Sequence, residues 1–583
     1  MKIFMHSIFA RLLSLYIYTY IFCLLSSLSP SGPATMFIMR RRTKIQLLVL
    51  TISITLFLVQ ASSSIPVLHH LQIAHSACEG TLYPELCVST LSSFPDLTSK
   101  TISQMISSTV NYTVKEVEIS ASNCTDIRKN LKAQDPLEQR ALDDCLELFD
   151  ETISELQTAL SDLSPKSSPS KHYNDLQTLL SAAMTNQYTC LDGLSLGNEQ
   201  VIREEIKQNL NNISHLVSNS LAMLTKMPKA ADTLKDEVFP EYGKMAGRFP
   251  GWVSPKDRKL LQASTNTMKF DLVVAKDGSG NFRTIGEAVA AAPNSSATRF
   301  VIYIKAGTYF ENVDVGKKKT MLMFVGDGIG KTVVKASRNV VDGWTTFRSA
   351  TVAVVGNGFI ARDMTIENAA GPSKHQAVAL RSGSDLSAFY RCSFVGYQDT
   401  LYVHSLRQFY RECDIYGTVD FIFGNAAVVF QNCNLYARRP NANQKNIFTA
   451  QGREDPNQNT GISILNCKVT LAADLSPVKS SFHTYLGRPW KEYSRTVFIG
   501  SYLDDLINPA GWLEWSGNFG LSTLYYGEYM NKGPGSDTTN RVKWPGYRVI
   551  NSSTEATQFT VASFIQGGGW LSSTGIPYSA GLS

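Results

Sequence analysis

The sequence has no CxxC pair among its ten cysteines and comparatively few charged residues. Without such pairs structural zinc is disfavoured, and disulfides are the expected use of the cysteines if the chain is exported. Charged residues make up 18% of the 583 residues and hydrophobic ones 43%, which excludes a disordered protein. The chain is too long for one compact core, so two or more folded units are expected.

The signals of a nucleic-acid-binding protein are also missing. Residues 258–583 carry a net charge of +9, against −9 for residues 65–257 and +6 for residues 1–64. The basic part nevertheless has no zinc-finger spacing, no basic helix and no basic cluster beyond the lysines at 317–319. The pattern indicates either two regions that attract each other or a basic domain that acts on an acidic target.

The N-terminal region, residues 1–64, is predicted to be a signal or targeting segment. Basic residues at 40–44 precede an apolar run at 45–59 and then small residues, which is typical of a secretory signal. That run is shorter than the roughly 20 apolar residues of a membrane span. An earlier apolar run at 8–28 leaves two alternatives open: translation from an internal methionine, Met36 or Met39, or a membrane anchor.

Residues 70–230 are predicted to form an all-α four-helix bundle. Apolar residues fall on one helical face in the stretches 102–117, 142–160 and 206–224. Together with the stretch 173–190 they predict an antiparallel bundle of about four helices. No residue set in this region is typical of a catalytic site.

Residues 231–261 are predicted to be a linker with a processing site. They are rich in proline and glycine and contain a basic pair, Arg258 and Lys259. Exposed basic residues in such a segment suit proteolytic cleavage, here after Leu261. An ordinary, uncleaved linker is the alternative.

Residues 262–583 contain a repeat of about 20 residues. Cysteines recur at spacings of 21, 20 and 34, and each has an apolar residue three positions before it and another two positions after it: Cys392, Cys413, Cys433 and Cys467. Such in-register repetition predicts an all-β right-handed parallel β-helix, with a loop in the longer gap. A β-sandwich also has many short strands but does not predict this repetition.

The repeat places two carboxylates side by side. Asp399 and Asp420 each follow a column cysteine by seven residues, so their strands should be neighbours about 4.8 Å apart. Gln398 lies on the same coil as Asp399, and Gln376 lies on the preceding coil at nearly the same position, so the two glutamines should be close to each other.

This group could catalyse acyl chemistry without a metal or a cofactor. Two carboxylates so close titrate as a coupled pair, one protonated and one charged, which supplies a general acid and a nucleophile. The glutamine amides can donate to an oxyanion. The alternative is a polar ladder that only satisfies backbone groups in the β-helix.

The chain resembles plant pectin methylesterases in several spaced motifs that occur in one order. They are VAKDGSGNF (274–282), AGTYFENV (306–313), HQAVALRSGSD (375–385), GYQDTLY (396–402), GTVDFIFGNA (417–426) and YLGRPW (485–490). The resemblance covers residues 262–583, and the bundle resembles the inhibitor-like pro-region that precedes the enzyme in many members of the family.

The resemblance implies a role for each residue of the group. Asp420 would be the nucleophile and Asp399 the proton donor and then the base. Gln398 would stabilise the oxyanion, assisted by Gln376. Arg488 would pair with Asp420, orient it and keep its pKa low.

Substrate binding is expected to involve four residues. By the same resemblance, Trp490 offers a flat face for a sugar ring, and Gln376, Arg488 and Thr346 complete the set. A buried tryptophan is more often part of a core, but the flanking LGRPW motif favours binding.

Three disulfides are expected. The resemblance implies Cys78–Cys87 and Cys145–Cys190 in the bundle and leaves Cys124 without a role. In the β-helix, Cys413 and Cys433 lie one coil apart in the same column, so a third disulfide is expected there. The outer cysteines of the column, Cys392 and Cys467, are expected to stay reduced.

The sequence therefore predicts a secreted cell-wall enzyme that hydrolyses methyl esters of pectin to pectate and methanol. Its expected partners are methylesterified pectin, its own pro-region and a proteinaceous inhibitor, with no nucleic acid and no cofactor. A retaining glycosidase would use a similar carboxylate pair, and a non-catalytic wall-binding or inhibitor protein is the second alternative. A calcium-dependent lyase is disfavoured because its acidic metal ligands are not evident.

Overall fold

The structure is a computed structural model that describes residues 48–53, 55, 69–130, 136–195, 200–228 and 269–582. The predicted signal region at 1–64 lies almost wholly outside these residues. The predicted linker at 231–261, with its cleavage site, lies wholly outside them. The chain divides into two compact units, residues 1–73 and 74–583, and the second contains everything discussed below. Within the described ranges, no helix is both long and apolar enough to cross a membrane.

A helical bundle forms the first part of this unit, as predicted. Its helices are α1 (Pro84–Ser92), α2 (Ile102–Asn130), α3 (Pro136–Asp162), α4 (Tyr173–Leu194) and α5 (Gln200–Leu224). A capping box begins α2: the Gln104 amide donates to Thr101 Oγ1 at 3.3 Å and the Thr101 amide donates to Gln104 Oε1 at 2.9 Å. The four long helices correspond to the four predicted stretches.

The rest of the unit is a parallel β-helix. Its strands are β1 (Leu272–Val274), β2 (Phe300–Ile304), β3 (Gly307–Phe310), β4 (Val313–Val315), β5 (Leu322–Gly326), β6 (Thr332–Ala336), β7 (Val352–Val354), β8 (Ile360–Asn368), β9 (Leu380–Ser382), β10 (Ser387–Val395), β11 (Leu401–Val403), β12 (Arg407–Arg411), β13 (Asp414–Gly417), β14 (Ile422–Gly424), β15 (Ala427–Gln431), β16 (Asn434–Ala437), β17 (Asn446–Gln451), β18 (Gly461–Leu465), β19 (Lys468–Leu471), β20 (Thr484–Gly487), β21 (Arg495–Ile499), β22 (Tyr502–Leu503), β23 (Tyr525–Tyr529) and β24 (Tyr547–Val549). Short helices also occur in this part: α6 (Ile285–Ala291), α7 (Ser553–Thr557), α8 (Val561–Ile565) and α9 (Gly567–Thr574). The strands form a 17-stranded sheet and a seven-stranded sheet, the latter in the order β4-β7-β9-β11-β14-β17-β20.

The predicted repeat sets the register of the larger sheet. Phe389, Tyr410, Phe430 and Ile464 are paired in succession on β10, β12, β15 and β18. The rings of the first three stack with centroids 4.6 Å apart, close to the distance between neighbouring strands. All four side chains are fully buried, so the repeat forms the core of the β-helix.

The cysteines pair in the bundle but not in the β-helix. Cys78–Cys87 and Cys145–Cys190 are disulfides, and the second joins α3 to α4. Cys124 is buried and free.

The expected Cys413–Cys433 disulfide is wrong, because both residues are free and buried. Each sulfur lies near a carbonyl oxygen of the preceding coil: Phe389 for Cys413, at 3.4 Å, and Tyr410 for Cys433, at 3.5 Å. The two thiols therefore point the same way on successive coils, about one strand spacing apart, whereas a disulfide requires sulfurs about 2 Å apart. The outer two cysteines of the column are also free, as expected.

Candidate active site

Asp399 and Asp420 lie on adjacent coils of the β-helix, just before strands β11 and β14 of the seven-stranded sheet. Asp399 lies two residues before Leu401, and Asp420 lies two residues before Ile422. Leu401 and Ile422 are paired on the adjacent strands β11 and β14. The Asp399 amide also donates to the Val419 carbonyl oxygen at 3.0 Å. The predicted juxtaposition of the two carboxylates is confirmed by this register.

Both aspartates have left-handed backbone conformations, with φ of 63° at Asp399 and 50° at Asp420. Such conformations are uncommon for residues other than glycine and cluster at functional sites. They occur here at the corner where each coil turns into the smaller sheet. Both residues are largely buried, with exposed fractions of 8% for Asp399 and 5% for Asp420.

Arg488 forms the predicted ion pair with Asp420. Its Nε donates to Oδ1 at 2.8 Å and its Nη2 donates to Oδ2 at 2.6 Å, a bidentate geometry that fixes the carboxylate plane. The expectation that this pairing leaves Asp420 with a low pKa is wrong. Burial raises the pKa of Asp420 above its usual value, and Arg488 only partly offsets that effect.

Asp399 binds a proton more strongly than Asp420 does. Burial, followed by the negative charge of Asp420, raises the pKa of Asp399 well above its usual value. Asp420 has a bidentate arginine partner, whereas the same arginine acts on Asp399 through its charge. When the pair binds a single proton, Asp399 is therefore the favoured carrier and the negative charge stays on Asp420.

The two predicted glutamines lie next to this pair. The Ala377 amide donates to the Gln398 carbonyl oxygen at 3.2 Å, which places Gln376 and Gln398 on neighbouring coils. Both are half-buried. Within the described part of the chain neither side-chain amide has a hydrogen-bond partner, so both amides are available to a bound group.

Thr346 precedes β7 and Trp490 follows β20, so along the seven-stranded sheet they flank the β11 and β14 coils that carry the aspartates. Trp490 is half-buried and contacts Phe423 edge to face, with centroids 5.8 Å apart. Thr346 lies in the loop before the 3-10 turn Phe347–Ser349. The Val340 amide of this loop donates to the Gln376 carbonyl oxygen at 3.1 Å.

The bundle lies over the outer surface of the smaller sheet. A small cavity beside Trp490 is lined jointly by Tyr188, Thr189 and Asp192 of α4 and by the sheet residue Tyr402. Polar contacts join the two parts at Asp192–Lys491 (3.0 Å), Ser218–Asp455 (2.5 Å), Thr189–His404 (2.9 Å), Thr185–Asn425 (2.8 Å) and Asp175–Arg407 (2.8 Å). The charge asymmetry of the sequence indicates such attraction, but spacing alone identifies none of these pairs.

Known proteins share both parts of the chain. A pectinesterase family model matches residues 271–568, and a plant invertase/pectin methylesterase inhibitor model matches residues 72–223. Probable pectinesterase/pectinesterase inhibitor 39 of Arabidopsis thaliana is 55% identical over 83% of this chain and 91% of its own length. Pectinesterase/pectinesterase inhibitor U1 of Solanum lycopersicum is 53% identical over 88% of this chain and 89% of its own.

A solved structure corresponds to the β-helix part alone. Pectin methylesterase from carrot is 63% identical, with a TM-score of 0.54, and the match covers 55% of this chain and 100% of the carrot chain. The fold and site thus define a carboxylic ester hydrolase built on a parallel β-helix. The chain belongs to the pectinesterase family, and an inhibitor-type domain precedes its enzyme domain.

Proposed function

We propose that residues 262–583 hydrolyse the methyl esters of pectin, forming free galacturonate carboxylates and methanol. The observation that carries this proposal is the unequal carboxylate pair: Arg488 holds Asp420 in a bidentate ion pair, while burial and the neighbouring Asp420 raise the pKa of Asp399 well above its usual value. One carboxylate can attack an acyl carbon while the other donates a proton.

The reaction proceeds in two halves. An Asp420 oxygen attacks the ester carbonyl carbon, and as the C–O bond to the methoxy group breaks, Asp399 gives that oxygen its proton and methanol leaves. Asp399, now charged, takes a proton from water, whose oxygen attacks the acyl carbon and releases Asp420. No metal or cofactor is needed to balance either half.

The remaining site residues bind and stabilise in this proposal. The amides of Gln398 and Gln376 donate to the oxyanion of each tetrahedral intermediate. Trp490 offers its ring face to a sugar, and Thr346 contacts the polymer from the loop on the other side. The two glutamine amides have no hydrogen-bond partner within the described residues, which supports their role.

An assay of two products tests the reaction. We expect the protein, freed of its bundle, to release methanol from methylated pectin without forming new reducing ends. A retaining glycosidase, the alternative for a close carboxylate pair, would form reducing ends and leave the ester intact. Reducing ends that increase in step with enzyme concentration, without methanol, would contradict the esterase assignment.

We further propose that the bundle, residues 70–230, blocks the site until it is released by cleavage after Leu261. Asp192 of α4 pairs with Lys491, next to Trp490. Thr189 of the same helix contacts His404, which is fully buried. A polymer could not reach Trp490 with these contacts in place. Assistance in folding is the second role that such a tightly packed segment could serve.

Export to the plant cell wall completes the proposal. The predicted secretory signal, the two disulfides of the bundle and five glycosylation sequons suit an exported protein. The basic enzyme domain would be retained on an acidic polymer. A proteinaceous inhibitor that resembles the bundle could bind the same surface after the bundle has gone.

Docking of the bundle is expected to weaken as the pH rises. Burial in the interface raises the pKa of Asp144 to about 6 and that of Glu151 to about 7, partly offset by Arg348 and Arg381. Because an exposed carboxyl titrates near pH 4, the docked state binds these protons more tightly. Docking should therefore be strongest below about pH 4 and weaken progressively to about pH 7.

The size of this effect can be measured on a chain cut in its linker. One pKa unit corresponds to about 1.4 kcal/mol, so we expect the dissociation constant of the bundle to rise at least about tenfold from pH 5 to pH 7.5. Calorimetric titration at several pH values would show it. Asp144→Asn and Glu151→Gln should each reduce the dependence, Glu151→Gln more strongly because its carboxyl has the higher pKa, and a dissociation constant independent of pH in the parent would contradict the prediction.

A further inference from the structure

Arg381 of β9 is a buried cation with too few partners. Only 2% of the residue is exposed. Its Nη2 has one long contact, 3.5 Å to Glu147 Oε1 of the bundle. Its Nε and Nη1 have no hydrogen-bond partner in the described part of the chain. Buried unpaired donors cost free energy, and a purely structural arginine would be expected to satisfy them.

The guanidinium is nevertheless held in a defined orientation. It lies over the Phe347 ring, 3.4 Å from the centroid, and stacking of this kind suits the planar arginine side chain. Phe347 follows Thr346 directly. The unpaired donors therefore belong to a fixed group at the edge of the proposed substrate surface.

Arg381 lies on the same sheet as Trp490's contact residue Phe423, near the carboxylate pair. Its Cα is paired with that of Tyr402 on β11, and Tyr402 is paired with Phe423 on β14. Phe423 in turn contacts Trp490. Asp399 lies on the β11 coil three residues before Tyr402, so Arg381 lies on the neighbouring coil, displaced from Asp399 by about 10 Å along the strand direction.

In the intact chain, carboxylates of the bundle lie close to Arg381. Arg348, which neighbours Phe347, pairs with Asp144 and Glu147 of α3, at 2.5 Å in both cases. The charge of Arg381 also acts on Asp144 and on Glu151, one helical turn beyond Glu147. The bundle thus presents a row of acidic groups to two arginines that would otherwise face the polymer.

We propose that, after the bundle has left, Arg381 with Arg348 binds a free carboxylate of the polymer, on a galacturonate unit that is already demethylated. The proposal rests on the function proposed above. A carboxylate can accept two parallel hydrogen bonds from a guanidinium, whereas a methyl ester offers neither the charge nor the second strong acceptor. The enzyme should therefore prefer an ester that has free carboxylates nearby.

Two defined oligomers distinguish the effect of the proposed carboxylate-binding site from that of the catalytic site. One is a galacturonate oligomer with a single methyl ester among free carboxylates, and the other is a fully methyl-esterified oligomer of the same length. Methanol release is measured for both with the chain cut in its linker and freed of its bundle. The carrot enzyme corresponds to this part of the chain alone, which supports its folding without the bundle.

The ratio of kcat/KM for the two oligomers is the decisive quantity. We expect the parent protein to favour the singly esterified oligomer, and Arg381→Gln to lower that ratio at least about tenfold, mainly through KM. Arg381→Lys, which keeps the charge but loses the planar fork, should give an intermediate ratio. Arg391→Gln is the matched control, because Arg391 pairs with Asp363 on the larger sheet, and it should leave the ratio unchanged.

Each outcome has one interpretation. An unchanged ratio in Arg381→Gln, or an equal fall in kcat/KM for both oligomers, overturns the proposal. Methanol release from the fully esterified oligomer shows that a variant is folded. If Arg381→Gln does not fold, Arg348→Gln is assessed by the same ratio. Failure of the proposed function would look different, because the parent protein would then release methanol from neither oligomer.

Discussion

In the protein freed of its bundle, replacement of Asp420 by asparagine is expected to lower methanol release at least about 10³-fold while pectin binding is kept. The amide keeps nearly the same shape but is neutral and a poor nucleophile, so the first half of the reaction cannot begin. Binding should survive because Trp490 and the glutamines are unchanged. Single-turnover methanol release and co-sedimentation with methylated pectin measure the two properties separately.

A half-buried aspartate on the same coil, Asp414, provides the control for this substitution. Asp414 on β13 accepts a hydrogen bond from Asn434 at 2.8 Å and belongs to the larger sheet. Asp414→Asn removes the same charge from the same coil region, and turnover should stay within about twofold of the parent. If Asp420→Asn keeps the parent's turnover, Asp420 is not the nucleophile.

The position of the carboxylate pair could be predicted because a β-helix converts spacing into neighbourhood. Cys392 and Cys413 are 21 residues apart, as are Asp399 and Asp420, and a parallel coil carries that equality into space without distant contacts. Arg488 lies 68 residues beyond Asp420, outside this local repeat. Only the family resemblance identifies it in the sequence.

Side-chain direction and burial could not be read from the same spacing. Cys413 and Cys433 share a column, but their parallel orientation keeps the sulfurs apart, and no repeat length reports that orientation. The direction of the Asp420 pKa shift depends on a balance between burial and Arg488. Burial at this site depends on several coils, which are distant from one another in the sequence.

Cleavage of the linker is expected to raise methanol release at least about 100-fold. In the intact chain the bundle is tethered beside the site, and a short tether gives an effective concentration in the millimolar range. Cleavage removes the tether, so dilution to nanomolar concentration lets the bundle dissociate. A specific protease site introduced within residues 231–261 allows the same preparation to be assayed before and after cutting.

Charge reversal in the interface should activate the chain without any cut. Asp144 is almost fully buried and pairs with Arg348 at 2.5 Å, so Asp144→Arg would place two arginines together and weaken docking by several kcal/mol. Asp150→Arg is the matched control, because Asp150 is exposed on the same helix, and it should leave the intact chain inactive. Equal activity of cut and intact parent chains would remove the inhibitory role. Assistance in folding would then be the remaining role, and it predicts that the enzyme domain made without the bundle gives much less soluble protein, because nothing else covers its buried interface arginines during folding.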